Sequence, residues 1–320
     1  MALPFQTYRS SIIFLLALIF GITLPQGAQA GIFLILPALI VGITITLLRF
    51  PGGFFHHLRT LLFSSMQSNI MNYLVLGNFI ILAGAFLIQK QELWIGLVLV
   101  AAMPLSLEII IMGDLLRMNK NQIFTSVAGT YLGALIIVPL VGLCFLKYMH
   151  LNYWNIIVLM LCLIVLPLLI SRIAVENEWD RIINQHDDMI MDFSLLIVFY
   201  TITANSGPFL LQWSVDLLII VAIAFVSTFP FYFIIRRIGL HLRAPDDRIN
   251  SFILPATMKE CGLAGGIALT VFSPEVAVPS LIFAVFTMIY MNWLKFRFRH
   301  IVAFDHHKKK VKYKFDKPQT

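Results

Sequence analysis

The sequence predicts an all-α integral membrane protein with ten transmembrane helices, and three of its properties indicate this fold class. Of its 320 residues, 59% are hydrophobic and 12% are charged, whereas soluble domains usually carry about 25% charged residues. Apolar runs of about 20 residues recur along the whole chain, which is the length that a bilayer core of about 30 Å requires. The runs are continuous rather than alternating, and continuous runs favour membrane helices.

The ten predicted spans are separated by connectors that mostly carry helix breakers or charges. Turns are predicted at Pro51-Gly52-Gly53, at Asn119-Lys120-Asn121, at Ser206-Gly207-Pro208 and at Pro245-Asp246-Asp247. The spans form one membrane unit, residues 1–300, which is followed by a basic cytoplasmic tail, residues 301–320. The spans lie near residues 8–25, 30–49, 61–88, 93–117, 122–147, 153–171, 188–206, 214–235, 248–272 and 276–296.

The distribution of basic residues predicts the orientation of these spans. With both termini in the cytoplasm, all but three of the 23 Lys and Arg residues lie on the cytoplasmic side. Lys90 and Lys147 then face outward, and Lys259 lies within a span. This bias over short loops is the positive-inside pattern, and it predicts a multi-pass protein of the cell (inner) membrane.

The first span has two interpretations. Arg9, an apolar stretch and Ala28-Gln29-Ala30 together imitate a secretory signal with a small-residue cleavage site, which would leave nine spans. Pro25 and Gly27 fit a tight hairpin after an uncleaved helix equally well. We expect the uncleaved helix.

Three charged residues are predicted at membrane depth: Glu108 in the fourth span, and Lys259 with Glu260 in the ninth. A charge that faces lipid at the centre of a bilayer costs about 2.5–3.5 kcal/mol on translocon scales. These side chains are therefore expected to face the protein interior or a water-filled cavity, and they are candidate ligands for an ion or a substrate.

Both spans also carry a proline one turn before the charge. Pro104 precedes Glu108 by four residues, and Pro255 precedes Lys259 by four. Because proline removes a backbone donor, each span is expected to break or kink there, as in the broken helices of many secondary transporters. Two interrupted spans, five helices apart, predict two five-helix inverted repeats. A structural pair of kinked helices, locked by a buried Lys–Glu bridge, is the alternative.

Further candidate site residues surround these charges. Ser106 and Thr257 lie in the same two spans, and Gln67, Asn69 and Asn72 form a polar patch in the third. The patch residues either line a cavity or hydrogen-bond to a neighbouring helix, and the sequence leaves both alternatives open.

Several functions are excluded by what the sequence lacks. It has no P-loop, no Gly-x-Ser-x-Gly, no His-Glu-x-x-His and no Cys-x-x-Cys motif, so an enzyme, a metal or organic cofactor and an ATP-binding subunit are not expected. The net charge of +7 lies beside the apolar runs and is attributed to topology, not to nucleic acid. The basic tail either contacts anionic membrane lipid or only fixes topology. The oligomeric state is not predicted.

Two stretches of the sequence carry a pattern of small residues and prolines. The first runs from Gly96 to Pro104, in the fourth span. The second, more specific stretch comprises Gly262-Leu263-Ala264 and Phe272-Ser273-Pro274-Glu275-Val276-Ala277-Val278-Pro279. Both stretches resemble the bile acid:sodium symporter superfamily, which includes bacterial organic-anion transporters and arsenite exporters.

The resemblance implies a panel of helices 1, 2, 6 and 7 and a core of helices 3–5 and 8–10, with helices 4 and 9 broken where they cross. A small organic anion, such as a bile acid or another carboxylate, would bind between panel and core. Movement of one domain against the other would give alternating access.

The sodium ligands of the family carry over poorly. Only Gln67 matches a ligand position. The other ligand positions are occupied by Ile109, Ile110, Ile123, Val127, Pro255, Lys259 and Glu260. Sodium binds through several oxygen ligands, as hard cations do, and an isoleucine or an ammonium group supplies none.

Sodium coupling is therefore doubtful. We expect Lys259 to occupy the volume of the lost ion, with Glu260 or Glu108 as its counter-charge. Alternatively, titration of this lysine–carboxylate pair could couple transport to protons.

The leading interpretation is a secondary transporter of a small organic anion, and two alternatives are kept. A same-fold arsenite exporter is disfavoured because Met103-Pro104-Leu105 lacks the cysteine of that branch. A non-transporting membrane sensor or scaffold with decayed ion sites is disfavoured because three midplane charges are retained.

Overall fold

All of the described chain in the computed structural model is helical or connects helices, with no strand in that part. The structure describes residues 3–50, 61, 63, 65–116, 118–145, 153–179, 183 and 185–315. The predicted turn at Pro51-Gly52-Gly53 and the last five residues of the tail lie outside this part. The helices are α1 Leu3–Thr23, α2 Ala28–Leu48, α3 Met66–Leu87, α4 Gln91–Ala102, α5 Ile109–Leu115, α6 Lys120–Phe145, α7 Tyr153–Glu176, α8 Asp187–Leu210, α9 Val215–His241, α10 Asp246–Ile253, α11 Cys261–Val271 and α12 Val278–Phe315.

Seven helical segments in the described part are long and apolar enough to cross a membrane, which is compatible with a multi-pass membrane protein. They are Pro25–Leu48, Met66–Leu87, Lys120–Phe145, Val158–Glu176, Asp187–Leu210, Val215–His241 and Val278–Phe298. Three shorter apolar helices, Tyr8–Thr23, Gln91–Ala102 and Cys261–Val271, correspond to the first, fourth and ninth predicted spans. The all-helical class is confirmed, whereas the count of ten spans stays a prediction.

Two predicted spans are divided in the structure. The fourth, residues 93–117, is split into α4 and α5, and the ninth, residues 248–272, into α10 and α11. The turn predicted at Ser206-Gly207-Pro208 is wrong, because α8 continues through it to Leu210. The division at residue 300 stays a prediction, and α12 runs through this position to Phe315.

Four helices, α1, α2, α7 and α8, form one packed group, which we name the four-helix group. α8 packs along both α1 and α2, and α2 also packs against α7. The hairpin between α1 and α2 is fixed by two hydrogen bonds from α8. The Tyr200 hydroxyl donates to the Leu24 carbonyl at 2.7 Å, and the Asn205 amide donates to the Ala28 carbonyl at 3.2 Å.

The remaining helices form the central group, α3 to α6 and α9 to α12. α12 lies at its centre and contacts α4, α9 and α11. Its packing on α4 depends on Gly96, because a side chain there would overlap the Val276 carbonyl of the α11–α12 connection and the Pro279 ring at the start of α12. Small residues permit such close approach between membrane helices.

We predict that Gly96→Ala destabilises the protein. The new methyl would lie about 2.7 to 2.8 Å from Pro279 ring carbons, and overpacking of this kind costs about 1–3 kcal/mol. Thermal unfolding of the detergent-purified protein should show a lower midpoint. Gly142→Ala in α6 is the matched control, since no heavy atom lies within 4 Å of the place that its new methyl would take. Equal midpoints for the two variants would contradict this account of the packing.

Candidate functional site

The two interrupted helices meet at their interruptions. Residues 103–108 connect α4 to α5, and residues 257–260 lead into α11. The two connections pair in antiparallel, extended conformation through a single bridge between Leu105 and Lys259. The Glu260 N–H donates to the Pro104 carbonyl at 3.0 Å. The interruptions therefore join the two helices where they cross.

The prolines act differently in the two interruptions. Met103, which precedes Pro104, is extended with φ −71° and ψ 151°, because a residue before proline disfavours the helical region. α4 therefore ends directly at the proline. Pro255, in contrast, lies within a 3-10 turn, Leu254–Ala256, and the chain leaves the helical conformation only at Thr257. The predicted break is present, but it follows Pro255 by two residues.

Lys259 is buried at the end of α4. Its side chain is 3% exposed, and its ammonium group donates to the carbonyls of Ala101 at 2.7 Å and Met103 at 3.0 Å. The same group lies 4.8 Å from the centre of the Tyr73 ring. The last carbonyls of a helix lack intrahelical donors and carry partial negative charge, so this position suits a cation.

The Glu260 side chain points away from the Lys259 side chain. Successive side chains of an extended segment point in opposite directions, and Glu260 directly follows Lys259. Its carboxylate accepts the Leu107 N–H at 3.0 Å, and Glu260 is also the residue before α11, where a negative charge is favoured by the helix dipole. The two charges of the ninth span are thus each satisfied by backbone of the crossing.

The predicted counter-charge of Lys259 was wrong. Glu260 or Glu108 was expected to pair with it, and a buried Lys–Glu bridge was the structural alternative. In the described part of the chain, the salt bridges join other residues. The partners of Lys259 are neutral carbonyls, since the alternation of the extended segment turns its ammonium away from Glu260.

Side chains of α3 and α6 hold the interrupted end of α4. Asn72 is fully buried and donates to the Met103 carbonyl at 3.1 Å. The Leu105 N–H donates to the Thr130 hydroxyl at 3.4 Å, and the Tyr73 hydroxyl donates to the Thr130 carbonyl at 2.6 Å. Asn72 and Tyr73 belong to a π-helical stretch, Ile70–Gly77, inside α3, and such stretches are frequent at functional sites.

Three predicted site residues form hydrogen bonds within the protein, two of them to neighbouring helices and one within its own segment. Gln67 donates to the Ser251 hydroxyl of α10 at 3.1 Å. Asn69 donates to the Gly129 carbonyl of α6 at 3.3 Å. Thr257 donates to a carbonyl of its own chain segment. For Gln67 and Asn69, the structure therefore favours hydrogen bonding between helices over cavity lining.

A cavity of about 130 Å³ lies between the four-helix group and the crossing. Since one water needs about 10–15 Å³ of such volume, the cavity has room for about ten waters or for an organic anion. Its walls are mostly apolar, and residues of α2, α8 and α12 contribute to them. The polar and charged residues of its lining are Ser10, Thr46, Arg49, Ser106, Glu108, Asp192, Ser194, Lys259, Glu260, Cys261 and Thr287.

No protein-family model matches this chain, and no curated protein matches it either. The resemblance to the bile acid:sodium symporter superfamily therefore stays a prediction that rests on the quoted stretches.

Lys295 belongs to this region, although the sequence analysis assigned it to the cytoplasmic charges. It is 7% exposed in α12, interacts electrostatically with Glu108, and lies 5.9 Å from the centre of the Tyr8 ring. The sequence contains a pattern that indicates the burial of Lys295. Met288, Met291 and Lys295 follow one another at helical spacing on a buried face of α12.

Ion pairs join the helix ends beside the cavity. Arg9 of α1 pairs with Asp192 of α8, and Arg49, at the end of α2, pairs with Asp187 of α8 at 2.9 Å. At the other end of the helices, Lys90 pairs with Glu275, and this hydrogen bond raises the pKa of Lys90. There the Ser206 hydroxyl of α8 donates to the Pro274 carbonyl at 2.7 Å.

We predict that the Glu260 carboxylate stabilises the crossing as an acceptor for the Leu107 N–H. Glu260→Gln keeps an acceptor oxygen and should unfold at nearly the wild-type temperature. Glu260→Leu leaves the N–H without its acceptor, which costs about 1–3 kcal/mol when such a group is buried, and should lower the midpoint of thermal unfolding. Equal midpoints for both variants would exclude this role.

Proposed function

We propose that this protein is a secondary transporter that moves a small organic anion across a membrane by alternating access. The observation that carries the proposal is the cavity whose inner wall is the crossing of two interrupted helices. Broken helices that meet at membrane depth form the substrate and ion sites of many secondary transporters. The proposal needs no resident metal, organic cofactor or ATP-binding subunit.

The proposed panel consists of α1, α2, α7 and α8, and the proposed core consists of α3 to α6 and α9 to α12. The packing of the four-helix group as a unit supports this division. The interruptions between α4 and α5 and between α10 and α11 support two inverted repeats of five spans each. In this arrangement, ten spans cross the inner membrane with both termini in the cytoplasm, and the tail meets the lipid surface.

Transport is proposed to proceed without sodium. The ammonium of Lys259 already donates to two carbonyls at the end of α4, and these oxygens are the kind of ligand that sodium would use. Ile109 and Ile123, at two family ligand positions, are buried at 0% and 2% exposure and offer no oxygen. A fixed ammonium would thus hold the crossing together in every state of the cycle.

The anionic class of the substrate follows the resemblance, and the cavity offers features that suit it. The Arg49 guanidinium lines the cavity with its side chain 26% exposed, so it can meet an entering anion. Leu39, Val198 and Phe199 belong to the apolar walls, which suit the hydrophobic body of a bile acid or a similar carboxylate.

The test is counterflow in sodium-free proteoliposomes, which detects exchange of a solute without any coupling gradient. The solutes compared are radiolabelled taurocholate, small mono- and dicarboxylates and arsenite. We expect exchange of an organic anion above the rate in empty liposomes. Lys259→Gln should lower this rate by about tenfold, because a hydrogen bond from a charged group contributes about 1.5–3 kcal/mol.

Lys120→Gln serves as the matched control, since Lys120 is exposed at the start of α6. Exchange of arsenite alone would support the exporter of the same fold. Thermal stabilisation by an anion without any exchange would indicate a membrane sensor and contradict transport. An unchanged rate in Lys259→Gln would assign the lysine a purely structural role.

A further inference from the structure

We propose that Glu108 and Glu260 together bind the proton that couples transport, and that the anion and this proton bind in the same step. The inference rests on the proposed transport function and deepens it. It assigns proton coupling to two carboxylates that line the cavity, whereas the sequence analysis gave a lysine–carboxylate pair as one alternative.

Both carboxylates face the same cavity. Glu108 and Glu260 belong to its lining, and the Leu107 N–H, next to Glu108 in the chain, donates to the Glu260 carboxylate at 3.0 Å. The two carboxylates also interact electrostatically. Two carboxylates that share a site of low dielectric repel each other strongly when both are ionised, and the binding of one proton relieves this repulsion.

A buried tyrosine lies near this pair. Tyr131 of α6 is 6% exposed, and its hydroxyl makes no hydrogen bond within the described part of the chain. It lies beside the Glu260 carboxylate. A buried hydroxyl without a partner is costly, and it can serve both protonation states of Glu260, because it donates to the carboxylate and accepts from the carboxylic acid.

The other charged groups around the pair balance only one of its two negative charges, so one bound proton would neutralise the other. Lys295 of α12 interacts with Glu108, and it balances one of the two negative charges. The ammonium of Lys259 is engaged by the carbonyls of α4 on the opposite side of the extended segment. Arg49 of α2 and Asp192 of α8 also line the cavity, but each has an ion-pair partner in the four-helix group.

Anion binding and proton binding are therefore linked. An anion that enters the cavity meets two acidic side chains, and it binds more tightly when one of them has taken up a proton from cavity water. By linkage, the bound anion raises the affinity for the proton by the same factor. When the cavity opens to the other side, the anion and the proton leave together, which gives proton–anion symport.

The first test reads protonation directly and needs no substrate. Infrared difference spectra of the full-length protein in lipid nanodiscs, between acidic and alkaline buffer, report the C=O stretch of protonated carboxyl groups. We expect a band that shifts or disappears in both Glu108→Gln and Glu260→Gln and persists in Glu92→Gln. Glu92, at the start of α4, is outside the cavity lining and is the matched control. A spectrum unchanged by both site variants overturns the inference, whatever the transport assays find.

The second test measures coupling. Taurocholate is suitable because its sulfonate stays ionised, so it carries no proton through the lipid by itself. Proteoliposomes that take up taurocholate should alkalinise a weakly buffered medium, and an inward proton gradient should increase accumulation by about tenfold per pH unit, as one proton per anion requires. Accumulation should be lost in Glu108→Gln and restored in part by Glu108→Asp, which keeps a titratable group.

The outcomes separate the two proposals. Taurocholate exchange without alkalinisation overturns proton coupling and leaves transport intact. Exchange of choline in place of the anions overturns both the anionic substrate and the symport, and it would assign permanently ionised carboxylates to cation binding. Absence of any exchange contradicts the transporter, and the infrared bands then decide whether the pair binds a proton.

Discussion

The structure depends on hydrogen bonds between the Lys259 ammonium and the carbonyls at the end of α4. Pro104 ends α4 and leaves its last carbonyls without intrahelical donors. A buried ammonium group also needs hydrogen-bond acceptors, because its burial without them costs several kcal/mol. Lys259 supplies the donors and α4 the acceptors, at 2.7 and 3.0 Å. The two interrupted helices are thereby joined by an internal cation, where a transporter of similar design would need a bound ion.

The same arrangement separates the charges of the site by role. The extended pairing of residues 103–108 with residues 257–260 lets the Lys259 ammonium donate to the carbonyls at the end of α4, while the Glu260 carboxylate accepts the Leu107 N–H. The positive charge becomes part of the scaffold, while the negative charges of Glu260 and Glu108 remain available to a solute or a proton. In the proposed cycle, the crossing of the two interrupted helices thus needs no bound external ion, and the two carboxylates bind the coupling proton.

Much of the architecture could be predicted from the sequence, because its physical causes are local. Hydrophobic length predicted the membrane helices, and prolines beside charges predicted both interruptions. The direction of each side chain could not be predicted in this way. It depends on the register of the extended pairing, which decides that Lys259 meets carbonyls rather than Glu108. Tertiary context likewise engaged Gln67 with α10 and brought Thr130 and Tyr131 of α6 to the crossing, and neither arrangement has a local sequence signature. The burial of Lys295 does have one, because Lys295 continues the helical spacing of the buried Met288 and Met291.

The central claim, that the Lys259 ammonium replaces a bound ion, is tested most directly by the sodium dependence of thermal unfolding. The wild-type protein and Lys259→Ala are compared in sodium chloride and in N-methyl-D-glucamine chloride at equal ionic strength. The account predicts the same midpoint for the wild type in both salts. It predicts a lower midpoint for the variant, part of which sodium alone restores by binding the vacated carbonyls. A wild-type midpoint that rises with sodium would contradict the account.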